Sequence, residues 1–111
     1  MSRYLALLIG AAEPQDKANV PEDVSERFMQ AWGTWHADHT DAIVESGGPL
    51  GPNLRVSHDR TEAVGNRLVA WMIVKAESVD EAARMVTHHP HLSLMLGNAV
   101  DVMELLAAPT G

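Results

Sequence analysis

Five of the six histidines of this 111-residue chain fall in two short clusters. The first cluster lies in WGTWHADHT, residues 32–40, and the second in MVTHHPHLS, residues 85–93. Imidazole titrates near neutral pH, so it serves both as a general acid or base and as a metal ligand. The two clusters therefore indicate an acid/base pair, a metal site or an ordinary helix end with polar side chains.

His36 and His39 form the first cluster, on a predicted helix. A helical wheel places His36 at the edge of the apolar stripe, where one ring nitrogen can stay wet and the other can be fixed, as a general base requires. His39 lies near the middle of that stripe, which favours a buried, hydrogen-bonded histidine or one that lines the same pocket. Their i, i+3 spacing also permits metal chelation.

The second cluster surrounds a predicted helix end. The negative end of a helix dipole favours a protonated histidine, so one of the three needs no further function. His88 is expected in solvent, and His91 is a candidate for ligand binding. Two histidine pairs would suit zinc, nickel or copper, but no carboxylate stands at a recognised ligand spacing. We predict no metal ligands and no cofactor, and a metal-binding protein is our third hypothesis.

Composition limits the class of protein. The chain has 46% hydrophobic and 21% charged residues, a net charge of −7 and no cysteine. These values predict a single globular domain over residues 1–111 that binds neither nucleic acid nor a membrane. The opening SRYLALLIGAA has one basic residue and a poor cleavage pattern for a signal peptide, so we expect a cytoplasmic protein.

The hydrophobic pattern predicts alternating strands and helices. Residues 13–21 are expected to form a polar loop, SGGPLGP is expected to stop the first helix, and DRTEAVGN is expected to be a polar turn. Ser78 and Glu81 have the spacing of a capping box, and Pro90 ends that helix near His89. Strands are predicted over residues 3–10, 53–58, 67–76 and 99–107, and helices over residues 21–45 and from 78 to about 89.

This β-α-β-β-α-β order predicts an α+β, ferredoxin-like fold, with two helices on one face of a four-stranded antiparallel sheet. The strand RLVAWMIVKA is apolar almost throughout, so the other face of the sheet also needs cover. A homodimer formed through the sheets would supply it.

Trp32, Trp35 and Trp71 are expected mainly in the core, and Trp32 and Trp71 are candidates for the wall of an aromatic-sized pocket.

The chain resembles the YCII-related family of dimeric α+β-barrel proteins along nearly its whole length. RYLALLIG resembles the first strand of that family, and WHADHTDAIVESGGPLGP resembles its first helix and the turn that follows. SVDEAARMVTHHP resembles its second helix, and AVDVMEL its last strand. The resemblance implies a dimeric barrel related to small isomerases and lyase-like enzymes that act on ring compounds.

The resemblance also implies the candidate catalytic residues. In the family, a histidine of the first helix pairs with an aspartate just before the proline of the second helix, and His36 matches that histidine. His89 stands where the aspartate would be, and HDRTEAVGN replaces the Asp-Gly-Pro-Phe stretch of one branch. An imidazole orients a second imidazole less well than a carboxylate does.

Three hypotheses follow. The first is a small-molecule-binding protein with acid/base activity of isomerase or lyase type, in which His36 is the general base and His89 orients it or takes the second proton. The second is a non-catalytic module that binds a ligand or a protein. The third is a metal-dependent protein. The identity of the substrate does not follow from the sequence.

Overall fold

The computed structural model of this chain describes residues 1–11 and 21–108. The predicted polar loop over residues 13–21 lies outside the described residues, except for Pro21. The strands are β1 (Ser2–Ile9), β2 (Ile43–Pro49), β3 (Leu54–Val56), β4 (Thr61–Ala63), β5 (Leu68–Ala76) and β6 (Ala99–Glu104), and the helices are α1 (Glu22–Asp38), α2 (Val79–Val86) and α3 (Pro90–Leu94).

Four strands form an antiparallel sheet in the order β2-β5-β1-β6. In β1, Tyr4, Ala6 and Leu8 are buried and alternate with half-buried residues, as expected when one face of a strand packs on a core. The fold is α+β with a four-stranded antiparallel sheet, and it is compatible with the predicted ferredoxin-like arrangement. The strands predicted over residues 3–10 and 67–76 are confirmed to within one residue at each end.

The predicted end of the first helix is wrong. The helix was expected to reach Glu45, but α1 ends at Asp38 with His39 as its C-cap. The hydroxyl of Thr40 donates to the carbonyls of His36 and Ala37, which satisfies two groups of the last turn. The chain then enters β2, whose β-branched start at Ile43 pairs with β5. SGGPLGP therefore does not stop a helix, because its first residues belong to a strand.

The prediction for residues 53–58 is also wrong in its placement. This segment was expected to be the second strand of the main sheet, and DRTEAVGN a polar turn. Instead, β3 and β4 form a separate two-stranded hairpin. Leu54 and Val56 of the hairpin are exposed. β2 takes the edge position beside β5 in the four-stranded sheet.

The core lies between one face of the sheet and the helices. Buried residues of β1 and β5 form one cluster with Trp35 of α1 and with Ala82 and Val86 of α2. The other face carries Leu5, Leu7, Trp71 and Ile73, which are half-buried. Within the described residues, the helices pack on the first face only, so this second face is apolar without being covered by them.

The segment THHPH joins two helices. Ser78 caps α2 as predicted, with its hydroxyl accepting from the Glu81 N–H at 3.1 Å. The helix was expected to continue to about His89, but α2 ends at Val86, and Pro90 occupies the first turn of α3. Proline is well suited to that position because it has no N–H to satisfy.

Gly47 allows β2 to cross closely beside β5. Its φ is +65°, and a Cβ at this position would overlap the carbonyl group of Trp71. We therefore expect Gly47→Ala to lower the free energy of unfolding by about 2–3 kcal/mol, through the left-handed backbone and the overlap together. Urea denaturation measures this change. Gly48→Ala is the matched control, because a Cβ there meets nothing within 4 Å. Equal losses in both variants would contradict this explanation.

Candidate functional site

A pocket of about 670 Å³ lies between α1, α3 and the region where β2 meets β5. Most of its wall is apolar or aromatic, and a few polar groups interrupt it, as in small-molecule sites generally. Among the residues that line it are Phe28, Met29, Trp32 and His36 of α1, Trp71 of β5, and His91 and Leu94 of α3, with Met95 and Asn98 just beyond.

His36 is the residue of the first cluster that reaches this pocket. Its ring is half-buried and stacks on Trp32, with ring centroids 5.6 Å apart and an interplanar angle of 13°. Trp35 contacts the same imidazole edge-on at 5.4 Å. These two indoles hold the imidazole plane in one orientation.

The two nitrogens of His36 lie in different surroundings. Nε2 is buried and has no hydrogen-bond partner within the described residues, whereas Nδ1 is not buried. Burial lowers the pKa of His36 from its ordinary value of 6.5, and the nearby His39 lowers it further. Because its pKa lies below 6.5, the imidazole is mainly neutral at pH 7, and Nδ1 is its unburied nitrogen.

His89 has a structural task that the sequence did not suggest. Its ring is only 1% exposed, and its Nδ1 accepts a hydrogen bond from the His91 N–H at 3.0 Å, so that His89 caps α3. Trp32 and Trp35 enclose the ring, with centroids at 4.5 and 4.6 Å. Because Nδ1 accepts, the proton of the neutral ring is on Nε2, which is buried without a partner in the described chain.

His36 and His89 are neighbours that do not hydrogen-bond to each other. Their ring centroids lie 6.4 Å apart with an interplanar angle of 75°. Since a ring atom of imidazole lies about 1.1 Å from the centroid, the nearest nitrogens are at least about 4 Å apart, beyond hydrogen-bond distance. The two rings interact instead through Trp32, which stacks on His36 and meets His89 edge-on.

His91 and Asn98 hold α3 against the sheet. The buried His91 ring donates from Nε2 to the Ile9 carbonyl of β1 at 2.8 Å. Asn98 donates from Nδ2 to the His91 carbonyl and accepts at Oδ1 from the Ala11 N–H, both at 2.9 Å. These bonds fix the wall of the pocket that α3 provides.

The remaining predicted site residues lie at different places. His39 is the C-cap of α1, and its half-buried ring stacks on Trp35 with centroids 4.3 Å apart. Its Nδ1 donates to the Trp35 carbonyl at 2.7 Å, and the residue lies outside the pocket lining. Trp32 lines the pocket from α1. Trp71 borders it beside Gly47, although Trp71 alternates with the buried Ala70 and Met72, so that its ring belongs to the opposite face.

Sequence analysis missed several residues of the pocket. Phe28 and Met29 lie about two helical turns before His36, and this spacing was a usable signal for a shared face. Leu94, Met95 and Asn98 gave no such signal, because α3 was not predicted.

Over residues 1–11 and 21–108, no three histidine, aspartate or glutamate side chains are close enough together to hold a metal ion.

Comparisons with known proteins give little to set beside this geometry. No protein-family model matches the chain, and no curated protein matches it in sequence. Among solved structures, it is similar to 5-chloro-2-hydroxyhydroquinone dehydrochlorinase from Burkholderia phenoliruptrix, in complex with 2,5-dihydroxybenzoquinone. The sequence identity is 17% and the TM-score is 0.45, and the similarity covers 89% of this chain and 90% of that chain. This likeness is too low to carry an inference. Membership of the YCII-related family therefore remains a prediction from the sequence.

Proposed function

We propose that this protein binds a small ring compound in the pocket between α1 and α3. The observation that carries the proposal is His36, which lines a cavity formed mainly by aromatic and aliphatic residues and whose imidazole keeps Nδ1 unburied. Such a pocket buries an apolar ring, and one well-placed polar group orients it.

We further propose that His36 acts on the bound compound as a general base. Nδ1 of a neutral imidazole removes a proton from the ring compound, and the resulting imidazolium returns that proton at another atom or to a leaving group. These outcomes correspond to an isomerase and a lyase. His89 would be a positioning residue, since it contacts Trp32 and caps α3 instead of hydrogen-bonding to His36.

A binding module without activity is the second candidate. It is favoured by the lack of any hydrogen bond from the His36 ring to a carboxylate within the described residues. A carboxylate partner would fix the tautomer of the imidazole and stabilise the imidazolium that a general base becomes. Without one, His36 would serve as a hydrogen-bond partner of the ligand.

The apolar second face of the sheet supports a homodimer. Leu5, Leu7, Trp71 and Ile73 lie on neighbouring strands of this face, and the helices of the described chain leave it uncovered. A continuous apolar patch of this kind is typical of a protein–protein interface. We propose that a second copy packs there, and sedimentation analysis of the purified protein measures the association directly.

The charge of the chain is consistent with a partner that is a small molecule. A net charge of −7 disfavours binding to nucleic acid. In the described part of the chain, no helix has the length and hydrophobicity needed to cross a membrane. We propose a cytoplasmic location, because the cysteine-free sequence needs no oxidising compartment.

A ligand-observed NMR screen of small ring compounds tests the proposed function. We expect a subset of planar compounds to bind, and Leu94→Trp to weaken them, because an indole at this half-buried position of α3 fills part of the cavity. Val56→Trp, on the exposed hairpin, is the matched control. Binding that both variants leave unchanged would place the ligand elsewhere and contradict the proposal.

A further inference from the structure

The C-terminal half of α1 is fixed to the core. Trp35 is buried, and its ring packs on that of His89 with centroids 4.6 Å apart. Trp32 meets the same imidazole edge-on at 4.5 Å. The hydroxyl of Thr40 closes the last turn by donating to two of its carbonyls. This half therefore cannot move without disturbing the packing around His89.

The N-terminal half of the same helix, residues 22–31, is held less firmly. Val24 and Phe28 are half-buried, and the other eight residues of this segment are exposed. The N-cap is Pro21, whose side chain cannot accept a hydrogen bond from the first turn. A segment that buries few apolar side chains has a low local stability. Residues 22–31 can therefore move while the core stays intact.

Gly33 joins the two halves. The helix runs continuously through this position, and a Cβ there would meet no atom of the described chain within 4 Å. Neither packing nor the backbone conformation therefore requires a glycine. Glycine is among the least favourable residues in a helix interior, because it leaves the backbone free to take other conformations. The turn that contains Gly33 consequently bends more easily than one with alanine in its place.

The exposed half of α1 also forms a wall of the pocket. Ser25, Phe28 and Met29 line the pocket from this helix, and Gly48 and Pro49 line it from β2. Met29 is 61% exposed although it lines the pocket, so movement towards β2 would bury apolar surface of this side chain and of a bound ring. Because ten helical residues span about 15 Å, a bend of about 20° at Gly33 moves the first turn by about 5 Å.

We propose that residues 22–31 are a lid that closes on the ligand when α1 bends at Gly33. The continuous helix is the open form, and the bent helix is the closed form, in which Phe28 and Met29 cover the ligand. This inference rests on the proposed function and adds how the same site opens and closes. Gly33 is a positioning residue, since it acts through the lid without contacting the ligand.

NMR relaxation dispersion of the ligand-free protein tests the hinge. We expect the backbone amides of residues 24–31 to share one exchange process on the microsecond-to-millisecond timescale, and those of residues 35–38 to lack it. Gly33→Ala should lower the population of the bent form by about 5-fold, because alanine favours the continuous helix. Gly65→Ala is the matched control, since its Cβ also meets open space in the described chain. Exchange that is absent from residues 24–31, or that Gly33→Ala leaves unchanged, would overturn the inference.

Titration with p-cresol, a small ring compound, tests the closure. We expect Gly33→Ala to raise the urea midpoint of unfolding and yet to weaken p-cresol binding by about 5-fold, because the ligand needs the bent form. Gly65→Ala should bind like the parent protein. If Gly33→Ala binds p-cresol as tightly as the parent, the lid is overturned and the proposed function stands. If p-cresol binds to none of the three proteins, the proposed function loses support, and the relaxation measurement alone decides on the hinge.

Discussion

We expect acidification from pH 6.5 to about 4 to lower the free energy of unfolding by roughly 3 kcal/mol through His89 alone. Burial lowers the pKa of this imidazole from 6.5 to about 4, with smaller contributions from His91, His36 and His39. Between these two pH values the unfolded chain binds a proton that the folded protein excludes. The stabilisation is therefore complete above pH 6.5 and is lost as the pH falls towards 4.

The hydrogen bond at α3 gives this loss a structural consequence. Protonation of Nδ1 removes the lone pair that accepts from the His91 N–H, so the cap of α3 is lost. His91 and Leu94 belong to α3 and line the pocket, and we expect ligand affinity to fall over the same pH range. Urea unfolding at a series of pH values measures the stability directly.

Two variants separate His89 from other acid-sensitive groups. Asparagine is a good N-cap residue that does not titrate in this range, so His89→Asn keeps an acceptor for the His91 N–H and should flatten the pH dependence. His88→Ala, at the exposed neighbouring position, should leave it unchanged. If the stability of His89→Asn falls with pH as steeply as that of the parent protein, His89 is not the group responsible.

Replacement of His36 by glutamine should abolish most of any turnover. A positioned general base typically contributes a factor of about 10²–10⁴, so kcat/KM for a compound that the protein converts should fall by that amount in His36→Gln. The pKa of His36 is lowered, so the neutral base persists below pH 6.5, and the acid limb of the rate profile should lie below this value. Steady-state kinetics across pH measures both effects.

His58 provides the control for this prediction, because it lies exposed near the β3–β4 hairpin and outside the pocket lining. His58→Gln should retain the parent rate. Turnover that persists at the parent level in His36→Gln would exclude His36 as the base. A compound that binds without any conversion, and loses affinity in His36→Gln, would favour the binding module instead.

Much of the fold could be predicted because its signals are local. The apolar runs of β1 and β5 and the Ser78 cap of α2 each depend on residues close in sequence. The end of α1 could not be predicted in this way. Ala42 and Ile43 continue the apolar period of the helix, and only pairing with β5, some thirty residues later, makes this segment a strand.

The site was predicted in part for a similar reason. The helical wheel predicted the boundary position of His36. The resemblance to a known family predicted that His36 lies near His89. The cap that His89 gives to α3 did not follow, since imidazole is not among the usual N-cap side chains. The role of Asn98 could not be predicted from the sequence, because its side-chain hydrogen bonds join Ala11 and His91, which are far apart in the chain.

The most direct test of the central claim is NMR of the histidine rings during titration with p-cresol. If the ligand binds against His36, the resonances of this imidazole and of the stacked Trp32 indole should shift with increasing ligand, and those of His58 should not. Saturable binding that leaves the His36 and Trp32 resonances unmoved would show that the ligand does not occupy this pocket, and His36 would then have no role in its recognition.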